Sequence, residues 1–466
     1  MAGMARPVGS FAALLLLLLS CSLLPSALAE KRFYEFVVKE TPVKRLCMTQ
    51  HVITVNDMCS RGRDDREVYN GDDALAISRR STTRSIHVTL HWHGLRQMRN
   101  GWADGRWWKR DPIAVLRQSR ITGAPPNVSD TFMINGQPGD FLPCSSQETS
   151  IIPVVAGETS LLRVINAAMN AELFVSLAGH KIDVVAADAP THYKNVPGGC
   201  SAATLGPKGP AGLSRASSGH HHHHPPGHSK GPAPMLPFLP AYNDTKTATV
   251  FSDSIRSPAP VKVPHPVTQE VFTTIGFGLF SCRPGPLPNT ISLLQAHYHH
   301  LPDVFTLDFP PRPPPLVFNF TSTNIPRAHV AARGAPRELY RVKYGAVVVQ
   351  IVFQDTGIFV AEEHPMHIHG YHFYVLATGF GNYDPRRDEA KFNLVDPPSR
   401  NTIGVPVGGW AVVRFVADNP GVWLVHCHID AHLTGGLAMA LVVEDGKTEL
   451  EATMPPPYDL PVCPHH

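Results

Sequence analysis

The chain has 466 residues, 43% hydrophobic and 17% charged, with a formal net charge of +3. That is material for two or three globular domains with cores of their own. Lys and Arg are scattered rather than gathered into one block, so charge points to neither a nucleic-acid nor a membrane-surface partner.

The N-terminus carries Arg6, an apolar run from Phe11 to Leu24, and the small residues around Ala27 and Ala29 before a charged stretch. This pattern predicts a secretory leader over 1–29, with the mature chain from Glu30. As a membrane anchor the run falls short of the roughly 20 apolar residues that a spanning helix needs. Of the eight cysteines Cys21 would leave with the leader, and Cys47, Cys59, Cys144, Cys200, Cys282, Cys427 and Cys463 would remain. One of these must be unpaired; in an oxidising compartment the others can form disulfides, while Cys427, between two histidines, has the better claim to a metal. Sequons at Asn127, Asn243 and Asn319 are expected N-glycan sites.

Apolar and polar residues alternate over Ser85–Leu90, Ser160–Ile165, Val347–Phe353 and Trp410–Val416, between Gly, Pro and Asn turns. These read as short β-strands, and no stretch beyond the leader carries a long helical stripe, so the fold class is all-β, a sandwich or barrel. Two stretches break the pattern, 57–83 and about 190–234. The second holds Pro, Gly, Ser and the run His220–His224, the composition of a low-complexity linker rather than a metal site.

Three HxH pairs stand out: His91 and His93 in HWHG, His367 and His369 in HPMHIHG, and His426 and His428 in HCHIDAH. In a strand, residues i and i+2 share a face, so each pair can serve one metal cluster, whereas Cys427 between its two histidines faces the other way and serves a different centre. A thiolate with two imidazoles, Cys427 with His432 and His364, is the ligand set of a blue copper site. Zinc would more often recruit further cysteines at ligand spacing. Ten residues after Cys427, where such sites often place a weak axial Met, stands Leu437; a non-coordinating residue there raises the reduction potential and suits the oxidation of phenols.

With HWHGLRQMRNGWADG, INGQPGD, LLQAHY, QDTG, HPMHIHG and GVWLVHCHIDAH the chain resembles the multicopper oxidases of the plant laccase kind over most of its mature length. The resemblance implies three cupredoxin-like Greek-key β-sandwich domains: 30–105 (truncated), 106–255 with the insert near 190–234, and 301–466 with the blue copper site, after a connection over 256–300. It implies four coppers. His364, Cys427 and His432 match the blue copper ligands, with Leu437 axial; His91 and His367 match type 2 ligands; His93, His369, His426 and His428 match the type 3 pair. Asp104 in GWADG matches an acid that aids proton delivery to oxygen, although Asp-Gly is also an ordinary turn. The activity implied is oxidation of lignin-related phenols coupled to four-electron reduction of dioxygen to water, by a secreted, apoplastic enzyme.

The family's second HxH motif, WWHAH, is missing: Gly105 runs almost directly into Trp107 and Trp108. Each type 3 copper would then keep two protein ligands instead of three, the first domain would lack strands, and Cys463 would lack the partner the family gives it. A splicing or gene-model change and an altered paralogue both fit this departure. The alternative function is a copper-binding or electron-transfer protein that retains only the type 1 site; a change of donor to ascorbate or ferrous iron is a further variant, against whose ascorbate form Leu437 speaks.

Overall fold

The computed structural model describes residues 31–45, 48–55, 73–81, 118, isolated positions between 152 and 164, most of 174–202, 239–275 apart from 242–243, and 339–455 apart from 346, 356–361, 430–431 and 434–436. The leader, the three sequon asparagines, the His220–His224 run, Ser85–Leu90, His91, His93 and Asp104 lie outside the described residues. Two compact units divide the chain, Met1–Lys44 with Met48–Ile86, and the remainder.

The first unit holds a three-stranded sheet of β1 (Lys31–Arg45), β2 (Met48–Val55) and β3 (Asp73–Ser81) in the order β2-β1-β3. β1 and β3 run parallel, Lys31 opposite Asp73 through Lys39 opposite Ser81. β3 therefore occupies the end of the irregular stretch expected over 57–83. Thr54 is fully buried and satisfied there, its hydroxyl 2.7 Å from that of Thr41 and donating to the carbonyl of Lys39.

In the second unit, short antiparallel pairs come first: β4 (Phe174–Val175) with β7 (Ser201–Ala202), and β5 (Ile182–Ala186) with β6 (His192–Gly198). β6 and β7 fall within the stretch expected to be linker from about 190, because pairing with β5 and β4 gives the 192–198 and 201–202 backbones partners that composition does not reveal. The strand expected over Ser160–Ile165 is not seen at its described positions, which are exposed and in no ladder; Val164 is 63% exposed. A ten-residue helix, α1 (Thr245–Ser254), and a single helical turn over Pro385–Asp388 depart from the all-β pattern. Asp244 starts it, its carboxylate accepting from the Thr247 amide (3.0 Å) and hydroxyl (2.7 Å). No helix among the described residues is long and apolar enough to cross a membrane.

The C-terminal part is a sandwich of two five-stranded sheets. One has the order β13-β12-β15-β10-β8 and the other β14-β11-β16-β17-β9, built from β8 (Gln269–Ile275), β9 (Leu339–Val342), β10 (Val348–Asp355), β11 (His364–Ile368), β12 (Phe373–Phe380), β13 (Ser399–Arg400), β14 (Thr402–Val405), β15 (Gly409–Val416), β16 (Gly421–Cys427) and β17 (Ala438–Val443). The strands expected at Val347–Phe353 and Trp410–Val416 are β10 and β15, which pair antiparallel with Val349 opposite Phe415. β8 comes from the stretch expected as a connection and pairs parallel to β10.

Alternation decides which residues make the core. Val349, Ile351 and Phe353 of β10 and Ala411, Val413 and Phe415 of β15 meet Met366, Ile368, Trp423, Val425, Cys427 and Leu441 of the facing sheet in one buried cluster. The opposite face of β10 and β15 is buried too: Val352, Leu376, Trp410 and Val412 are covered by Val263, Tyr383 and Phe392. At about 25 cal/mol per Å² of buried apolar surface, each fully buried side chain of this kind contributes about 1.5–3 kcal/mol. The site thus stands on the largest buried cluster among the described residues.

Candidate metal centre

β11 and β16 are neighbours, with Met366 opposite Cys427 and His367 opposite His426. Two-residue periodicity sorts their side chains. His364, Met366 and Cys427 turn toward the sandwich interior, and His367, His369, His426 and His428 gather on the other face, with ring centroids 4.8 to 5.7 Å apart in the pairs that touch. The opposite orientation of Cys427 and its flanking histidines, expected from strand geometry, holds.

The loop from β16 to β17 brings in the third inward ligand. The His432 amide donates to the Ile429 carbonyl (2.9 Å), the Leu437 amide to His432 (3.0 Å) and the Cys427 amide to Leu437 (3.0 Å). These bonds fold His432 back over Cys427 and set Leu437 beside it, where it packs on the core and offers only carbon. His364, Cys427 and His432 are all buried, and among the described residues they are the one group of three His, Cys, Asp or Glu donors close enough to hold a metal ion. The His364 and His432 Nδ1 atoms are 3.1 Å apart, and Cys427 Sγ lies 3.6 Å from the first and 3.4 Å from the second. A point equidistant from the corners of that triangle is about 2 Å from each, the length of a metal–imidazole bond and a little under that of a metal–thiolate bond. The donor set therefore fits one ion, with soft sulfur among the ligands.

Each imidazole of this trio has its outer nitrogen against a carboxylate. His432 Nε2 is 2.8 Å from Glu362 Oε2, and His364 Nε2 is 3.4 Å from Asp355 Oδ1. Burial pushes the His432 imidazolium below the ordinary histidine range, while the hydrogen bond from His432 holds Glu362 below the ordinary carboxylate range despite its own burial. The pair therefore rests as a neutral imidazole donating from Nε2, which leaves the Nδ1 lone pair for a metal. Asp355 is fully buried, and its Oδ2 accepts from the Gly408 amide at 2.6 Å.

On the other face the nitrogens are used the other way round. His426 Nδ1 is 2.8 Å from the Cys427 carbonyl, and His367 Nδ1 is 2.8 Å from the Asn401 carbonyl. A carbonyl only accepts, so both imidazoles are protonated on Nδ1 and present Nε2 lone pairs. His369 Nε2 and His426 Nε2 lie 2.9 Å apart, as two ligands of one ion would. Asp188, in the left-handed region at φ 55, ties the β5–β6 segment to this sheet: its Oδ2 accepts from Arg400 Nε (2.7 Å) and from the Thr402 amide (3.3 Å).

Of the residues singled out in the sequence, the fold brings together His364, Cys427, His432 and Leu437 as one group and His367, His369, His426 and His428 as another. His91, His93 and Asp104 are not among the described residues. Sequence reasoning missed Asp355 and Glu362. QDTG marks the first as part of a motif but not its target, and Glu362, two residues before a ligand, carries no signal of which imidazole it meets.

Comparisons with known proteins extend these findings along the chain. Three family profiles, each described as multicopper oxidase, match residues 37–120, 103–196 and 308–447. Laccase-3 of Oryza sativa subsp. japonica is 42% identical over 569 aligned positions that cover 96% of this chain and 99% of that protein. Laccase-5 of Arabidopsis thaliana is 40% identical, covering 92% and 95%. Since 569 positions exceed the 466 residues of this chain, the rice protein carries residues that this chain lacks. In fold the chain is similar to the laccase from Botrytis aclada, at TM-score 0.52 and 16% identity over 89% of this chain and 88% of that one. It is also similar to Fet3p, described as a multicopper oxidase that functions in iron import, at TM-score 0.50 and 14% identity over 89% and 90%. The cupredoxin-like, mostly β architecture and copper as the metal follow, and matches along nearly the whole chain do not favour a protein reduced to a single electron-transfer site. The chain belongs to the multicopper oxidase family and, within it, to the plant laccases.

Proposed function

We propose that the protein oxidises phenols by one electron each, four phenols giving four phenoxyl radicals while one dioxygen takes up four electrons and four protons to become two waters. The observation that carries this reading is the placement of two donor groups back to back on β11 and β16. Cys427 Sγ with the Nδ1 atoms of His364 and His432 stands on one face, and His367, His369, His426 and His428 on the other. Copper, when bound, supplies the one-electron chemistry and the activation of dioxygen.

His364, Cys427 and His432 would hold the blue copper, and Leu437, with no donor atom, would leave its axial position uncoordinated. His367 with His91 would hold type 2 copper, and His93, His369, His426 and His428 the type 3 pair, with Asp104 delivering protons. The chain's own groups prepare both centres. Burial excludes water from the His364, Cys427 and His432 side chains, and the flanking carboxylates and carbonyls fix which nitrogen of His364, His432, His367 and His426 is free. Cys427 joins the centres, since its neighbours in the chain belong to the other group and its carbonyl accepts from His426.

The same reading takes the protein to be secreted to the apoplast after removal of 1–29, glycosylated at Asn127, Asn243 or Asn319, and active on lignin-related phenols in polymerisation or breakdown. It holds the family's four coppers as the expected complement, with the type 3 pair short of two histidines and the first domain truncated at the gap after Gly105. Oxygen uptake with a simple phenol tests the activity: four phenols consumed per dioxygen support it. A copper-loaded chain that is reduced by phenol but takes up no oxygen would leave only the type 1 site working.

A further inference from the structure

Residues 399–402 form the corner at which the chain leaves one sheet for the other: β13 stands at the edge of the first sheet and β14 at the edge of the second. Asn401 lies between them, buried, and its carbonyl accepts both from the Ile368 amide (3.1 Å) and from His367 Nδ1 (2.8 Å). Thr402 adds a second acceptor for the same imidazole. Its hydroxyl donates to Asn401 Oδ1 (2.9 Å), which leaves an oxygen lone pair for His367 Nδ1 at 3.0 Å. In an antiparallel pair the ladder bonds fall on alternate residues, so with Asn401 bonded to Ile368 the Thr402 amide points away from β11, to the outer edge of the sheet. Asp188 meets it there: its Oδ2 accepts from the Thr402 amide (3.3 Å) and from Arg400 Nε (2.7 Å), on either side of Asn401.

We infer that Asp188 is a positioning residue for His367, acting through the 400–402 corner to keep that imidazole protonated on Nδ1 and its Nε2 lone pair free for a metal. This rests on the reading of His367 as a copper ligand. β13, of two residues, pairs only with β12, and β14, of four, only with β11, so the sheets alone hold the corner weakly. The added tie comes from the turn between β5 and β6, 212 residues before Arg400. Asp188 stands there at φ 55, a conformation that Asp and Asn enter more readily than other side-chain-bearing residues. Its charge is not required, since the amide oxygen of an Asn in the same place accepts the same two bonds.

The test is nitrogen NMR of the metal-free, full-length chain with labelled imidazoles at about pH 8, where a histidine of ordinary pKa is neutral. His367 is assigned by the loss of its signals in His367→Gln. Asp188→Gly keeps the turn, because glycine adopts positive φ freely, and removes the carboxylate. It should lower the ratio of Nδ1-protonated to Nε2-protonated His367 by about fivefold, the worth of one weakened hydrogen bond. The His426 ratio, set by the Cys427 carbonyl, should not move, and Asp188→Asn should keep the wild-type His367 ratio. In the wild type the Thr402 amide should exchange with solvent about tenfold more slowly than an unbonded amide, a prediction that needs no variant. A His367 ratio that moves less than about twofold in Asp188→Gly overturns the inference while leaving the copper reading intact. So does an equal change at His426, an Asp188→Asn ratio as low as that of Asp188→Gly, or a freely exchanging Thr402 amide. A wild-type His367 protonated on Nε2 overturns the ligand reading and the inference together.

Discussion

Replacing Asp355 with Asn changes one oxygen for an NH2 group in a space with no exposed surface, and the structure says where the consequence falls. Oδ2 accepts from the Gly408 amide at 2.6 Å, and Oδ1, which has no hydrogen-bond partner, faces His364 Nε2 at 3.4 Å. An Asn can keep the first contact only by pointing its amide oxygen at Gly408, and its NH2 then faces Nε2. Two N–H groups cannot face each other, so His364 is driven to carry its proton on Nδ1, the atom that faces Cys427 Sγ and His432 Nδ1. The opposite orientation leaves the Gly408 amide facing a donor at a cost of about 1–3 kcal/mol. In the first orientation a metal must first restore the tautomer, and loss of such an outer partner lowers metal affinity by about 10–100-fold, whereas the second keeps the tautomer and shows as lost stability. Competition for copper against a chelator, read by the thiolate band, measures the affinity, and nitrogen NMR of the metal-free protein reads the tautomer. Asp355→Asn with wild-type copper affinity, wild-type stability and His364 still protonated on Nε2 would refute the reasoning.

Gly370 directly follows His369 at φ +72, and a Cβ there would lie 2.4 to 2.6 Å from the ring atoms of Trp423, which is 1% exposed and anchored by its Nε1 to the Asn419 carbonyl. Gly370→Ala should therefore cost about 3 kcal/mol or more, seen as a lower denaturation midpoint with an unchanged slope. Asp388 is held well below the usual carboxylate range by Arg387 first and by Lys391 and the Asp384 amide. Its folded pKa lies below its unfolded one, so its contribution is fully present above about pH 4 and is lost as pH falls further. Acid titration of stability should show that loss in the wild type and a smaller one in Asp388→Asn, which at neutral pH should be less stable by about 1–2 kcal/mol.

The site on β11 and β16 was legible because its chemistry is local: HPMHIHG and HCHIDAH each place donor side chains at strand spacing, and Leu437 stands at a fixed distance from Cys427 where an axial donor would otherwise be expected. β10 and β15 were legible from alternation. What stayed hidden depends on partners remote in sequence. β8 is a strand because β10 accepts it at its edge, β6 because β5 turns back on it, and α1 rests on one capping Asp244 in a segment without a strong apolar stripe. Asp355 and Glu362 are both acidic residues upstream of His364, yet one reaches His364 and the other His432 across the β16–β17 loop, a choice made by the fold and not by spacing.

The most direct test of the copper centre built from His364, Cys427 and His432 is the visible spectrum of the purified chain as copper is added, with copper counted per chain and Cys427→Ser alongside. An intense thiolate–copper band that grows in the wild type and is absent from Cys427→Ser, while both proteins stay folded, is the predicted result. Copper bound by the wild type without that band, or a band that survives the loss of the thiol, would contradict it.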